Sequence, residues 1–145
     1  MEKHDSISAE LARIAKQNGG VLTAEKVVES ARSKSSPIHS AFTWDNDAAA
    51  EKWRLHQARN LILRVNVEAV GIENQEITIR AWSSLTPDRD EDGGGYRETI
   101  RLMKNKDQRA QLLADALDEL NRITEKYRAL TELAAVFSEI KKLKK

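Results

Sequence analysis

In a chain without cysteine, chemistry falls to histidine, carboxylate and basic side chains, and few of these stand at a productive spacing. His4, His39 and His56 lack metal-ligand spacing, and no HExxH, GxSxG, Walker-type or GxGxxG signature is present. Asp88, Asp90, Glu91 and Asp92 lie in one acidic loop that lacks the spacing and terminal glutamate of a calcium loop. Gly93-Gly94-Gly95 does not lead from a strand into a helix, as a phosphate loop must. No catalytic, cofactor-binding or metal-binding residue is therefore assigned, and a non-enzymatic protein is expected.

Basic side chains offer a different chemistry, the neutralisation of phosphate. Arg32 and Lys34 fall in a serine-rich turn, where they join Ser36 and His39 as candidate phosphate contacts, and Lys52 and Arg59 extend the set along the next helix. Lys52, Arg59 and neighbouring Gln57 do not all share one helical face. The alternative is a solvated charged surface balanced by Glu25, Glu29 and Glu51. Trp82, beside Arg80 on the polar face of a strand, is a candidate for partner recognition; its alternative is burial beneath the helices. Trp44 and Trp53 read as core anchors.

The elements that must position these residues follow from periodicity. Ile7, Leu11, Ile14 and Ala15 mark a helix, after a frayed Met1–Asp5, that ends at Asn18-Gly19-Gly20. Thr23 caps a second helix with Val27, Val28 and Ala31 on its buried face. Pro37 opens a helical turn through Phe42, and Asp45-Asn46-Asp47 caps a long helix, with Trp44 folding back on Ala49. Ala50, Trp53, Gln57, Ala58, Leu61, Ile62 and Val65 form its expected apolar face. From Val65 the period shortens to 2, so Val65–Ala69 and Ile77–Leu85 predict a hairpin, residues 86–95 an exposed mobile loop, and Tyr96–Leu102 a third strand. From about Asn105 the chain lacks glycine and proline, and Ala116, Leu120, Ile123, Tyr127, Leu130, Ala134 and Phe137 trace a heptad seam. One continuous helix of about 35 residues would be about 50 Å long, more than a domain of this size can cover. Part of it must therefore project, break or meet another chain, and a homodimer through the C-terminal helix is the expectation, with Tyr127, Leu130 and Phe137 as partner contacts.

The run SPIHSAFTWD from Ser36, followed by AAAEKWRLHQARNLI, resembles a family of small proteins encoded in bacteriophages and prophages. The GGGY segment at Gly93–Tyr96 and the closing KYRALTELAAVF at Lys126–Phe137 resemble the same family, so the likeness runs from about Gly20 almost to the end. It implies a phage-type setting in the bacterial host cytoplasm and little chemistry, and it carries over no site residue.

Composition agrees with one domain: 145 residues, 40% hydrophobic and 32% charged. Basic and acidic residues number 24 and 23, so a net charge of +1 argues neither for nor against nucleic acid, and only a local patch could decide. The absence of cysteine fits a reducing compartment, and no signal peptide or spanning segment is evident. The expectation is an α+β protein with an N-terminal helix-turn-helix-like module (1–64), a three-stranded antiparallel sheet (65–103) and a long C-terminal helix (104–145). It would bind DNA or a DNA-associated complex. An inhibitor or adaptor of a host protein, using the sheet face and long helix, is the alternative.

Overall fold

The computed structural model describes residues 2–44 and 48–143, with side chains from Ser6 onward and not at Ala48, so the expected cap at Asp45-Asn46-Asp47 lies outside the described residues. Two compact units divide the chain, Met1–Arg101 and Leu102–Lys145.

The first unit begins with α1 (Glu2–Gln17), which starts inside the segment expected to fray. Gly19 and Gly20, at φ of 66° and 86°, turn the chain in a left-handed conformation that glycine adopts without a Cβ clash. Thr23 accepts a hydrogen bond from Lys26 N and so caps α2 (Ala24–Ala31), whose Ala24, Val27, Val28 and Ala31 are buried. α1 is tied to α2 by Glu10, only 8% exposed, which accepts from Ser30 Oγ and Arg13 Nη2, both at 2.6 Å. A single 3₁₀ turn (His39–Ala41) precedes α3 (Ala48–Arg64). Leu11, Leu22, Val27, Ile38, Ala58 and Ile62 are fully enclosed among these helices.

The helices give way to an antiparallel hairpin, β1 (Asn66–Val70) with β2 (Glu76–Arg80), in which Val67 faces Ile79 and Ala69 faces Ile77. The three-stranded sheet expected from alternation does not form. At Ala81 the ladder changes partner: its N–H still donates to Val65 O, while its carbonyl accepts from Thr99 N. Beyond it β3 (Trp82–Ser83) pairs with β4 (Arg97–Glu98), giving two separate two-stranded sheets. Thr99 then starts a helix, α5 (Thr99–Lys104), where a third strand was expected. Tyr96 pairs with Leu22 through two 2.7 Å backbone bonds, so the segment closes against the α1–α2 turn. The expected mobile loop is ordered in part as α4 (Thr86–Asp90), with Pro87 in its first turn. Asp88 is 9% exposed and receives both Arg97 Nε (2.8 Å) and Nη2 (2.7 Å), a bidentate pair that pins the loop.

The second unit holds α6 (Lys106–Lys126), capped by Asn105 Oδ1, which accepts from Asp107 N and Gln108 N. The continuous helix expected to Leu143 is not found. After Lys126 the chain passes through a turn and a 3₁₀ segment (Thr131–Leu133) before α7 (Ala134–Lys142). Leu130 takes an extended conformation, with ψ of 99°, and i→i+3 bonds from Leu130 N to Tyr127 O and from Leu133 N to Leu130 O replace the α-helical ladder. Tyr127 and Thr131, which flank the break, have weaker helix propensity than the leucine, alanine and lysine around them. The heptad seam is thereby cut in its middle. Among the described residues no helix is long and apolar enough to cross a membrane.

Ile62 is fully buried, whereas Ile72 at the hairpin tip is fully exposed. Ile62→Ala should cost about 2–5 kcal/mol in urea unfolding followed by tryptophan fluorescence, and Ile72→Ala within about 0.5 kcal/mol of zero. Equal effects would contradict this placement of the core.

Candidate nucleic-acid interface

Of the four turn residues expected to meet phosphate, Arg32 and His39 are engaged by other groups of the protein and Ser36 is half-buried. Arg32 Nη2 lies 3.1 and 3.0 Å from the two oxygens of Glu51 on α3. His39 Nδ1 donates to Ala31 O at 2.8 Å, because a carbonyl oxygen can only accept, and its ring stacks on Trp44 at 5.0 Å and 9°. Ser36 is half-buried, and its Oγ is enclosed without a hydrogen-bond partner among the described residues. Lys34 remains exposed in the turn.

These contacts form a clamp around Trp44. Its indole N–H donates to His39 O at 3.0 Å, and the guanidinium carbons of Arg54 and Arg32 lie 5.5 and 6.0 Å from its ring centroid. Arg54 is only 4% exposed. A buried guanidinium needs its donors satisfied, and Nε and Nη2 reach Glu51 at 3.0 and 2.8 Å while Nη1 reaches Thr43 O at 3.1 Å. Hydrogen bonding from Arg54, with Arg32 adding to it, holds the Glu51 carboxyl below its ordinary value of 4.5.

By fixing Arg54 inward, the clamp sets the rotation of α3. Ala58, Ile62 and Val65 of the expected apolar face are buried, but Arg54 joins them in place of Trp53 and Gln57. Trp53 is 53% exposed, against its expected role as a core anchor, and Trp82 is only 3% exposed, which matches the burial alternative and not partner recognition. Trp82 joins the core and offers no surface to a partner, while Arg80 beside it is exposed.

Turned outward on α3 are Trp53, His56, Gln57, Asn60 and Arg64, at i, i+3, i+4, i+7 and i+11, with Lys52 and Arg59 along one flank. Trp53, His56, Gln57, Asn60 and Arg64 line a shallow groove of about 350 Å³ with Ala41 and Leu61. Among the described residues no carboxylate lines the groove. Among the described residues Lys52, Arg59 and Arg64 enter no ion pair. Gln57 is held by Thr43, whose N–H donates to Gln57 Oε1 at 3.2 Å. Arg59 marks one border, since it also lines the cleft of Arg89, Asp90, Glu91 and Gly93–Gly95. Of the candidate phosphate contacts Lys52 and Arg59 lie along this face, while sequence reasoning did not single out Trp53, His56 or Asn60 for it. The available signal was the charge of Arg54 at a position that periodicity left outside the apolar face.

In the second unit Tyr127 and Leu130 are exposed and Phe137 is half-buried. Among the described residues no group of three or more His, Asp or Glu side chains could hold a metal ion.

A carboxyl whose pKa is lowered by folding contributes its full stability above the unfolded value, and loses it as pH falls through the folded one. Wild-type protein should therefore lose thermal stability below pH 4.5 more steeply than Glu51→Gln, which should be the less stable of the two at pH 7. Parallel acid profiles in differential scanning calorimetry would contradict the clamp. Comparison with protein-family models, curated proteins and solved structures returns no match to this chain.

Proposed function

We propose that this is a non-enzymatic phage- or prophage-type protein of the bacterial host cytoplasm that binds duplex DNA, alone or within a DNA-associated complex, through its N-terminal helical module. The carrying observation is the outward face of α3, which among the described residues has three cations outside any ion pair, hydrogen-bonding amides and a groove lined by no carboxylate, in a chain of nearly balanced charge. Lysine and arginine neutralise phosphates, while asparagine, glutamine and arginine are the side chains that read base edges. Three helices followed by a hairpin, the third helix with such a face, support a helix-turn-helix-like mode of presentation. The connection differs, however. Residues 32–47 separate α2 from α3, where helix-turn-helix proteins use a roughly 3–4-residue turn.

The hairpin suits phosphate poorly, because Glu68, Glu73 and Glu76 are all exposed along it. α3 is therefore the element that meets DNA. Lys34, in the exposed turn, supplies a further phosphate contact, and Arg32 retains a partly exposed side chain beside it.

A second reading, that the chain also meets a protein partner, draws on the second unit. Leu113, Ile123, Tyr127, Leu130 and Val136 are between 41% and 59% exposed, an apolar display that favours pairing with a second copy or a host protein. Interruption of the heptad seam removes the argument from helix length, so this reading rests on exposure alone.

Binding to a duplex should weaken linearly with the logarithm of salt concentration, and Lys52→Ala and Arg64→Ala should each reduce the slope by about 1. Salt-insensitive capture, or binding lost in Leu130→Ser and kept in Lys52→Ala/Arg64→Ala, would overturn the DNA reading in favour of a protein partner.

A further inference from the structure

Asn60 occupies the middle of the outward α3 face, and its Nδ2 lies 2.9 Å from His56 Nε2. With Nδ2 as the donor, Nε2 is the acceptor, which is the role it has in the tautomer protonated on Nδ1. His56 stacks in turn on Trp53, with ring centroids 5.3 Å apart at 30°. Indole supports imidazole, and imidazole orients the amide.

This arrangement uses one of two Nδ2 hydrogens. Among the described residues the other hydrogen and both lone pairs of Oδ1 remain for a ligand, and an amide's donor and acceptor lie in one plane. In the major groove, adenine alone offers the matching pair, N7 to accept and N6–H to donate. Guanine presents two acceptors, cytosine its amine, and thymine an acceptor beside a methyl group. Arg64 follows the amide one turn on, Lys52 and Arg59 lie along the flank, and among the described residues no carboxylate shares the groove with Asn60. Orientation before binding also reduces the side-chain entropy lost on contact.

We infer that Asn60 reads adenine in the major groove, with His56 as the residue that positions it. The inference rests on DNA binding through α3 and adds the base that is recognised.

The test begins with full-length wild-type protein and a pool of duplexes randomised over a central stretch, followed by sequencing of the bound fraction. Adenine should be enriched at one position, and replacing that A·T pair by G·C should weaken binding about tenfold. Asn60→Ala should abolish the discrimination at that position without changing the salt slope, and Asn60→Asp should shift it toward cytosine, whose amine a carboxylate accepts. His56→Ala should reduce the discrimination, and His56→Gln, which keeps an acceptor at that site, should restore part of it. Circular dichroism of each variant confirms the fold. Salt-sensitive binding without base preference, or a preference unchanged in Asn60→Ala, would overturn the assignment of Asn60 alone. No binding to any duplex would remove the DNA reading and this inference together.

Discussion

The orientation of α3 depends on the buried Arg54 and the carboxylate it shares with Arg32. Glu51 takes hydrogen bonds from Arg32 at the end of α2 and from the buried guanidinium of Arg54 on its own helix, while both arginines lie against the Trp44 ring. A guanidinium as enclosed as that of Arg54 must keep its donors satisfied, and Glu51 takes two of its hydrogen bonds. Arg54 therefore has little freedom to turn out, and α3 little freedom to rotate. Everything proposed for the outer face of that helix follows from this constraint on its inner face.

The constraint also explains why polar, aromatic and basic residues collect on one surface. A helix that buries Arg54, Ala58, Ile62 and Val65 must carry Trp53, His56, Asn60 and Arg64 on the other side. Hydrogen bonding and stacking among those outer residues, and not burial, give them fixed positions. The hairpin carries acidic and apolar residues instead, and the second unit carries exposed apolar ones. Opposite surface chemistries are thus kept on different elements.

Much of the first unit was legible in the sequence, for local reasons. The Thr23 cap, the glycines before it, the buried face of α2 and the β1–β2 hairpin are each set by a few neighbouring residues. Where the expectation failed, a distant partner decided. Trp82 stands on the polar side of its strand's alternation, yet the ladder changes partner at Ala81 and carries that ring into the core. Asp88 stands in a run that reads as a solvated loop until Arg97 pairs with it. The break after Lys126 has no glycine or proline to announce it. Of the residues expected to touch DNA, Arg32 and His39 proved to be components of the clamp, because sequence shows their charge and not the Glu51 and Ala31 atoms that engage them.

The central claim, that α3 presents a DNA-reading face, is most directly tested by amide and side-chain NMR shifts on titration with duplex DNA. The account predicts changes centred on Lys52, Trp53, His56, Asn60 and Arg64, including the Trp53 indole N–H, with the Trp82 indole unmoved. Changes confined to the hairpin or to residues 102–143, or none at saturating duplex, would contradict it.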